Sequence, residues 1–177
     1  MSKIVIIGAG AMGSAFGLPC IDNNHDVNII GTHLENDFID SLKAKENFHP
    51  GLNVKLDKKI NIHKFDNINN LLNNSADLIV LGISSKGIEW VSEQLSKIFK
   101  DKNIPNLLML TKGLSIFNNN YELLVDKLKR LLSANGVNKV NISALGGPCL
   151  AAGLANRVHS SVVIANEDIK TAKKIAD

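Results

Sequence analysis

Short runs of aliphatic and β-branched residues recur at Lys3–Ile7, Asp26–Ile30, Lys59–Phe65, Asp77–Ile83, Asn106–Thr111, Val140–Leu145 and Ser160–Ala165. Each has the length and near-continuous apolar character of a strand buried on both faces. Between them the apolar positions change period. This predicts helices over Ala11–Asn23, Glu35–Lys45, Ile68–Asn74, Lys86–Phe99, Tyr121–Ser133 and Pro148–Asn156, and a last one beginning near Glu167. The clearest amphipathic stretch is Asn120–Ser133, with Leu123, Leu124, Leu128, Leu131 and Leu132 on one face and Glu122, Asp126, Lys127, Lys129 and Arg130 on the other. Ser85 is placed to cap the helix that carries Ile88, Val91, Leu95 and Ile98, and Trp90 on that helix reads as a packing residue. Pro19 predicts a kink in the first helix, because it removes a main-chain donor. The Asn-rich stretches Asn69–Asn74 and Asn118–Asn120 read as polar loops or helix ends. Strands alternating with helices predict a doubly wound α/β domain over residues 1–177, its mostly parallel sheet covered on both faces.

Directly after the first strand stands Gly8-Ala9-Gly10-Ala11-Met12-Gly13, a GxGxxG that opens a helix. That context is the one a dinucleotide-binding turn requires. Gly8 permits the tight turn, Gly10 leaves room for the pyrophosphate, and Gly13 lets the helix sit close to the strand. The amides of Ala11 and Met12 at the helix N-terminus then face the phosphates, with the helix dipole adding partial positive charge. No Gly-Lys-Ser/Thr closes the loop, which excludes a Walker-type site. At the end of the second strand, where an NAD-preferring site carries an acid for the ribose 2′-hydroxyl, the chain has Gly31-Thr32-His33. Thr32 and His33 are potential donors to a 2′-phosphate, which favours NADP over NAD as the cofactor while admitting both. Glu35 lies near enough to substitute for the missing acid.

Composition narrows the function classes. The 20 Lys+Arg against 17 Asp+Glu leave a formal charge of +3 scattered along 177 residues, with no concentrated patch for nucleic acid or for an anionic membrane. The two cysteines, Cys20 and Cys149, form no CxxC, and the five histidines show no paired ligand spacing, so neither a disulfide framework nor a metal site is expected. A reducing cytoplasm fits that usage. The apolar run Ile4–Ile7 is interrupted at once by glycine and is too short for a signal peptide or a spanning helix.

Beyond the glycine turn, four further segments occur in order: His49-Pro50-Gly51-Leu52, Gly82-Ile83-Ser84, Thr111-Lys112-Gly113 and Gly146-Gly147-Pro148. With them the chain resembles, over essentially its whole length, the Rossmann-type N-terminal domain of the NAD(P)-dependent glycerol-3-phosphate dehydrogenases. The resemblance implies reversible reduction of a small-molecule substrate, dihydroxyacetone phosphate, to glycerol 3-phosphate by hydride transfer. It places Lys112 between substrate and cofactor, where a cation offsets charge developing on the carbonyl oxygen. It makes Lys112, Gly147 and Cys149 substrate contacts, and Ser84, Lys112 and Ala151 cofactor contacts. Cys149 departs from the Ser, Thr or Asn common there, and a thiol is a weaker hydrogen-bond partner. It does not read as a nucleophile, since hydride transfer needs none.

The family continues into a helical C-terminal domain that supplies a second lysine as general acid/base and further phosphate contacts. Residues 1–177 are therefore expected to be the cofactor-binding half, binding nucleotide with little or no turnover, and the full-length form is expected to admit a homodimer. Two other readings stay open. A ketopantoate-reductase-like or hydroxyacid dehydrogenase shares the Gly8-to-Gly13 turn, and a non-catalytic nucleotide-sensing module shares the fold.

Overall fold

The protein is described here by a computed structural model covering residues 1–73 and 76–176. The chain begins with β1 (Lys3–Ile7), α1 (Ala11–Asp22), β2 (Asp26–Ile30) and α2 (Asn36–Ala44). Two short strands, β3 (Phe48–His49) and β4 (Val54–Lys55), then pair antiparallel with each other. Next come β5 (Asn61–His63), α3 (Ile68–Asn73), β6 (Leu78–Leu81), α4 (Ile88–Phe99) and β7 (Asn106–Met109). A hairpin of β8 (Leu114–Phe117) and β9 (Asn120–Leu123) leads into α5 (Leu124–Ala134), β10 (Ile142–Gly146), α6 (Ala151–Ala155), β11 (Val163–Ala165) and α7 (Ile169–Ala176).

Among the described residues, seven strands form one sheet in the order β11-β10-β7-β6-β1-β2-β5. Neighbours run parallel except β10 with β11. The expected doubly wound, mostly parallel sheet is present, and the fold is Rossmann-like. Its core follows from the two-residue period of the strands. Ile4, Ile6, Ile29, Val80 and Leu108 point to the layer of α1 and α2. Val5, Ile7, Ile30, Ile79, Leu81 and Met109 point to α3, α4 and α5 on the other side. β1 lies between β2 and β6, so the chain leaves it in opposite directions across the sheet, and the crevice at the carboxyl ends of β1 and β6 is where such folds bind ligands.

Several local expectations are corrected. The helix expected from Asn120 or Tyr121 begins at Leu124, because Asn120–Leu123 pair with Leu114–Phe117. The two residues between those strands, Asn118 and Asn119, have φ of 49° and 61°. Both central positions of a tight hairpin turn require that sign, and asparagine tolerates it. Ser85 caps nothing: it opens a 3-10 turn, Ser85–Gly87, and Gly87 holds the cap position of α4 without a side-chain bond. In agreement with the expectation of no break at Pro19, α1 runs through that residue to Asp22, and Asn23 donates from its backbone N–H and its Nδ2 to the Pro19 carbonyl. The third helix is present as Ile68–Asn73, and Asn74 lies outside the described residues. Among those residues no helix is long and apolar enough to cross a membrane.

His63, on the outer strand β5, carries a testable consequence. Its Nε2–H donates to Asn28 Oδ1 at 3.2 Å and its Nδ1 accepts from Asn67 Nδ2 at 3.1 Å, an arrangement only the neutral ring satisfies. Burial, reinforced by the nearby charge of Lys43, holds its pKa below the usual value, and Asp26 opposes this only in part. The unfolded chain therefore binds the proton more tightly, so stability falls as pH drops from about 6.5 through the lowered folded value. The urea midpoint of the chain is expected to decrease between about pH 7.5 and pH 5.5. His63→Gln should flatten that slope, and an unchanged slope in the variant would remove His63 as its origin.

Candidate functional site

Where β1 ends, Gly8 turns the chain with φ of 107° and its N–H donates to the Ile30 carbonyl at 2.8 Å. A Cβ on Gly8 would lie 2.6 Å from the carbonyl oxygen of Gly82, just past β6. One on Gly82 would lie 2.8 Å from the Cα of Gly13, and one on Gly13 would collide with the Gly8 oxygen. Three glycines from two strand ends and the first turn of α1 thus interlock backbone against backbone. Gly10 differs. It is the N-cap of α1, extended at φ −64° and ψ 176° and without a capping side chain, and the nearest atom to a Cβ there would be Glu35 Oε1 at 3.9 Å. The open side of the turn therefore faces away from the interlock, with Ala11 and Met12 following in the first turn of α1. This is the space and the donor chemistry that a pyrophosphate needs, so the residues present fit a dinucleotide.

The peptide between those glycines is clamped. The Ala9 N–H donates to Glu35 Oε2 at 3.2 Å, and its carbonyl accepts from Ser14 Oγ at 2.9 Å and from His49 Nε2 at 3.2 Å. His49 is buried, and its ring meets Phe38 edge-on at 5.2 Å. Because the carbonyl only accepts, His49 carries its proton on Nε2; among the described residues Nδ1 has no hydrogen-bond partner. Sequence reasoning assigned no role to His49 or Ser14. The signals for them were the His-Pro-Gly segment and a hydroxyl one turn into a glycine-opened helix.

At the end of β2 the Thr32 N–H also donates to Glu35 Oε2, at 2.7 Å. His33 is exposed and stacks on Trp90 of α4 at 4.9 Å, with Phe65 beside both. The three rings form a shelf flanking the turn, so Trp90 packs as expected but against the site's rim. Ser84 stands exposed on the loop after β6, its carbonyl accepting from the Gly87 N–H.

On the loop after β7, Lys112 is exposed and its Nζ donates to the Gly147 carbonyl at 3.0 Å. The neighbouring Thr111 hydroxyl donates to the Ile83 carbonyl, tying this loop to the one after β6. Gly147 has φ of 100°, and a Cβ there would lie 2.8 Å from the Ser161 oxygen. The structure thus brings Lys112 and Gly147 together at the carboxyl ends of β7 and β10. Cys149 is only 3% exposed and packs in the apolar layer that includes Ala15 and Ala155, its N–H donating to the Gly147 carbonyl at 2.9 Å. Ala151 opens α6, half-buried against the same layer. A cavity of about 590 Å³ reaches Cys149 from the other side of this layer. It sits between α1, α6 and α7, and its lining includes Ser2, Asp77 and Asn106 at the amino ends of the strands.

The family described as NAD-dependent glycerol-3-phosphate dehydrogenase N-terminus matches residues 3–172. The NADP(+)-dependent glycerol-3-phosphate dehydrogenase of Archaeoglobus fulgidus is 31% identical over 174 residues, covering 98% of this chain and 49% of that protein. The glycerol-3-phosphate dehydrogenase [NAD(P)+] of Mesoplasma florum is 30% identical over 181 residues, covering 100% of this chain and 51% of its own length. The chain thus spans about half the length of these relatives. In fold it is similar to the crystal structure of glycerol-3-phosphate dehydrogenase from Coxiella burnetii, with a TM-score of 0.79 at 19% identity over 98% of this chain and 49% of that one.

Proposed function

This chain belongs to the NAD-dependent glycerol-3-phosphate dehydrogenase family, and from that premise we propose that residues 1–177 are the dinucleotide-binding half of an oxidoreductase that interconverts dihydroxyacetone phosphate and glycerol 3-phosphate. The observation that carries the reading is the interlocked Gly8, Gly13 and Gly82 at the switch point, with Gly10 left open before α1. The cofactor is NAD or NADP, and when bound it supplies or accepts the hydride. Gly10, Ala11 and Met12 present their backbones to the pyrophosphate, Thr32 and His33 border the adenosine, and Ser84 and Ala151 flank the nicotinamide half. Lys112 points its ammonium into the space above β7 and β10, next to the Gly147 carbonyl. There it stabilises negative charge growing on a substrate oxygen, and the backbone at Gly147 orients that substrate. Cys149, turned into the core, supplies packing and its backbone in place of a strong side-chain donor. The free cysteines Cys20 and Cys149 suit a reducing, cytoplasmic setting, and in the full-length form the second half and a second copy are the expected partners.

The test is a titration of the chain with NADH and NADPH, followed by energy transfer from Trp90 and by calorimetry, then repeated with dihydroxyacetone phosphate. Saturable nucleotide binding with little or no turnover is expected. Failure of both nucleotides to bind a folded chain would remove the cofactor reading, and vigorous reduction by this chain alone would remove the assignment of it as a half.

A further inference from the structure

The acid that the end of β2 lacks is delivered from elsewhere. Glu35 is the N-cap residue of α2, four positions beyond Gly31, and its side chain turns back over the dinucleotide turn. One carboxylate oxygen, Oε2, holds the Ala9 N–H at 3.2 Å and the Thr32 N–H at 2.7 Å, so it joins the loop after β1 to the loop after β2. The other, Oε1, lies 3.9 Å from where a Gly10 side chain would begin. The carboxylate is fixed from two sides at the carboxyl end of β2, where a doubly wound dinucleotide site reads the adenosine ribose.

We propose that Glu35 is the residue that sets nucleotide selectivity, accepting a hydrogen bond from a ribose 2′-hydroxyl and rejecting a 2′-phosphate; this rests on the cofactor reading above. The donors beside it are weak counterweights to a phosphate. Thr32 has committed its N–H to Glu35, and the His33 ring is stacked on Trp90 at 4.9 Å. A 2′-phosphate brought here would meet a carboxylate already tied to two amides, which cannot swing away without leaving the buried Ala9 N–H unpaired. Selectivity of this kind comes from repulsion of the wrong ligand as much as from attraction of the right one. The inference reverses the NADP preference that Gly31-Thr32-His33 suggested when taken alone.

The experiment compares Kd for NADH and NADPH on the chain and on Glu35→Gln, whose amide oxygen keeps an acceptor for the turn while removing the charge. The chain should favour NADH by at least about tenfold, and Glu35→Gln should bring the two within about threefold, chiefly by tightening NADPH. As a measurement independent of the variant's folding, 5′-AMP should bind the unaltered chain at least about tenfold more tightly than 2′,5′-ADP, which differs from it only by the 2′-phosphate. Equal or NADPH-favouring affinities in the chain would overturn the proposal, as would a folded Glu35→Gln that retains the original ratio, or equal binding of the two adenosine phosphates. In each of those cases nucleotide still binds, so the cofactor reading survives. If no nucleotide binds at all, both fall together.

Discussion

Gly13→Ala is expected to lower the stability of the chain by about 3 kcal/mol and to abolish its nicotinamide-dinucleotide binding. The added methyl group would be driven into the Gly8 carbonyl oxygen and would also stand 3.4 Å from Ile6 Cγ2. Neither neighbour can yield easily. The Gly8 N–H is held by Ile30 at 2.8 Å, the Gly82 N–H by Ile7 at 2.9 Å, and Ile6 is fully buried in β1. α1 would have to lift off the sheet, carrying the pyrophosphate donors with it. Gly10→Ala provides the contrast, because among the described residues beyond its chain neighbours the nearest atom to its methyl group is Glu35 Oε1, at 3.9 Å. Its unfolding free energy should stay within about 1 kcal/mol of the parent, while nucleotide affinity falls because the methyl group occupies the space left for phosphate. A Gly13→Ala chain with an unchanged midpoint would mean that the close approach of α1 to β1 is not what that glycine secures.

Lys112→Met is expected to reduce kcat/KM for dihydroxyacetone phosphate by about 10²–10³-fold in the assembled enzyme, while nucleotide Kd measured on this chain changes by less than about threefold. Methionine keeps the length of the stem but removes both the charge and the donor now held by the Gly147 carbonyl at 3.0 Å. A residue acting on the substrate oxygen moves turnover and leaves cofactor affinity nearly alone. A lysine that merely pinned the loop after β7 to the loop after β10 would instead show its loss in the melting temperature. Wild-type kcat/KM in the variant would take Lys112 out of the chemistry.

How much of this was readable in advance depended on how local each signal was. β1, β2, β6 and β7 announce themselves because a strand buried on both faces is apolar at most successive positions, as Ile4–Ile7 and Leu78–Leu81 are. The glycine turn was legible for the same reason: its spacing is a backbone requirement written in consecutive residues. The hairpin of β8 and β9 escaped because Leu123, Leu124 and Leu128 satisfy a helical period, although Leu123 is 53% exposed and paired with Leu114. Its better clue was Asn118-Asn119, a two-residue turn with both φ values positive. The clamp on Ala9 was hidden by distance, since Glu35 and His49 approach it from 26 and 40 residues away. The nearness of Glu35 to Gly31-Thr32-His33 is legible in the sequence, but not that its side chain folds back from the next helix onto the Ala9 and Thr32 amides.

The glycine interlock also orders events in time. Its partners are residues 8, 13 and 82, so the turn that looks complete within the first thirteen residues lacks one wall until β6 has docked beside β1. Closing that contact means organising the intervening β2, α2, β5 and α3, a non-local step that costs loop entropy before it gains any packing. On a chain emerging from its N-terminus, the glycine motif would appear early while the anion-binding shape came late. Competence to hold nucleotide would then report that the centre of the sheet had closed.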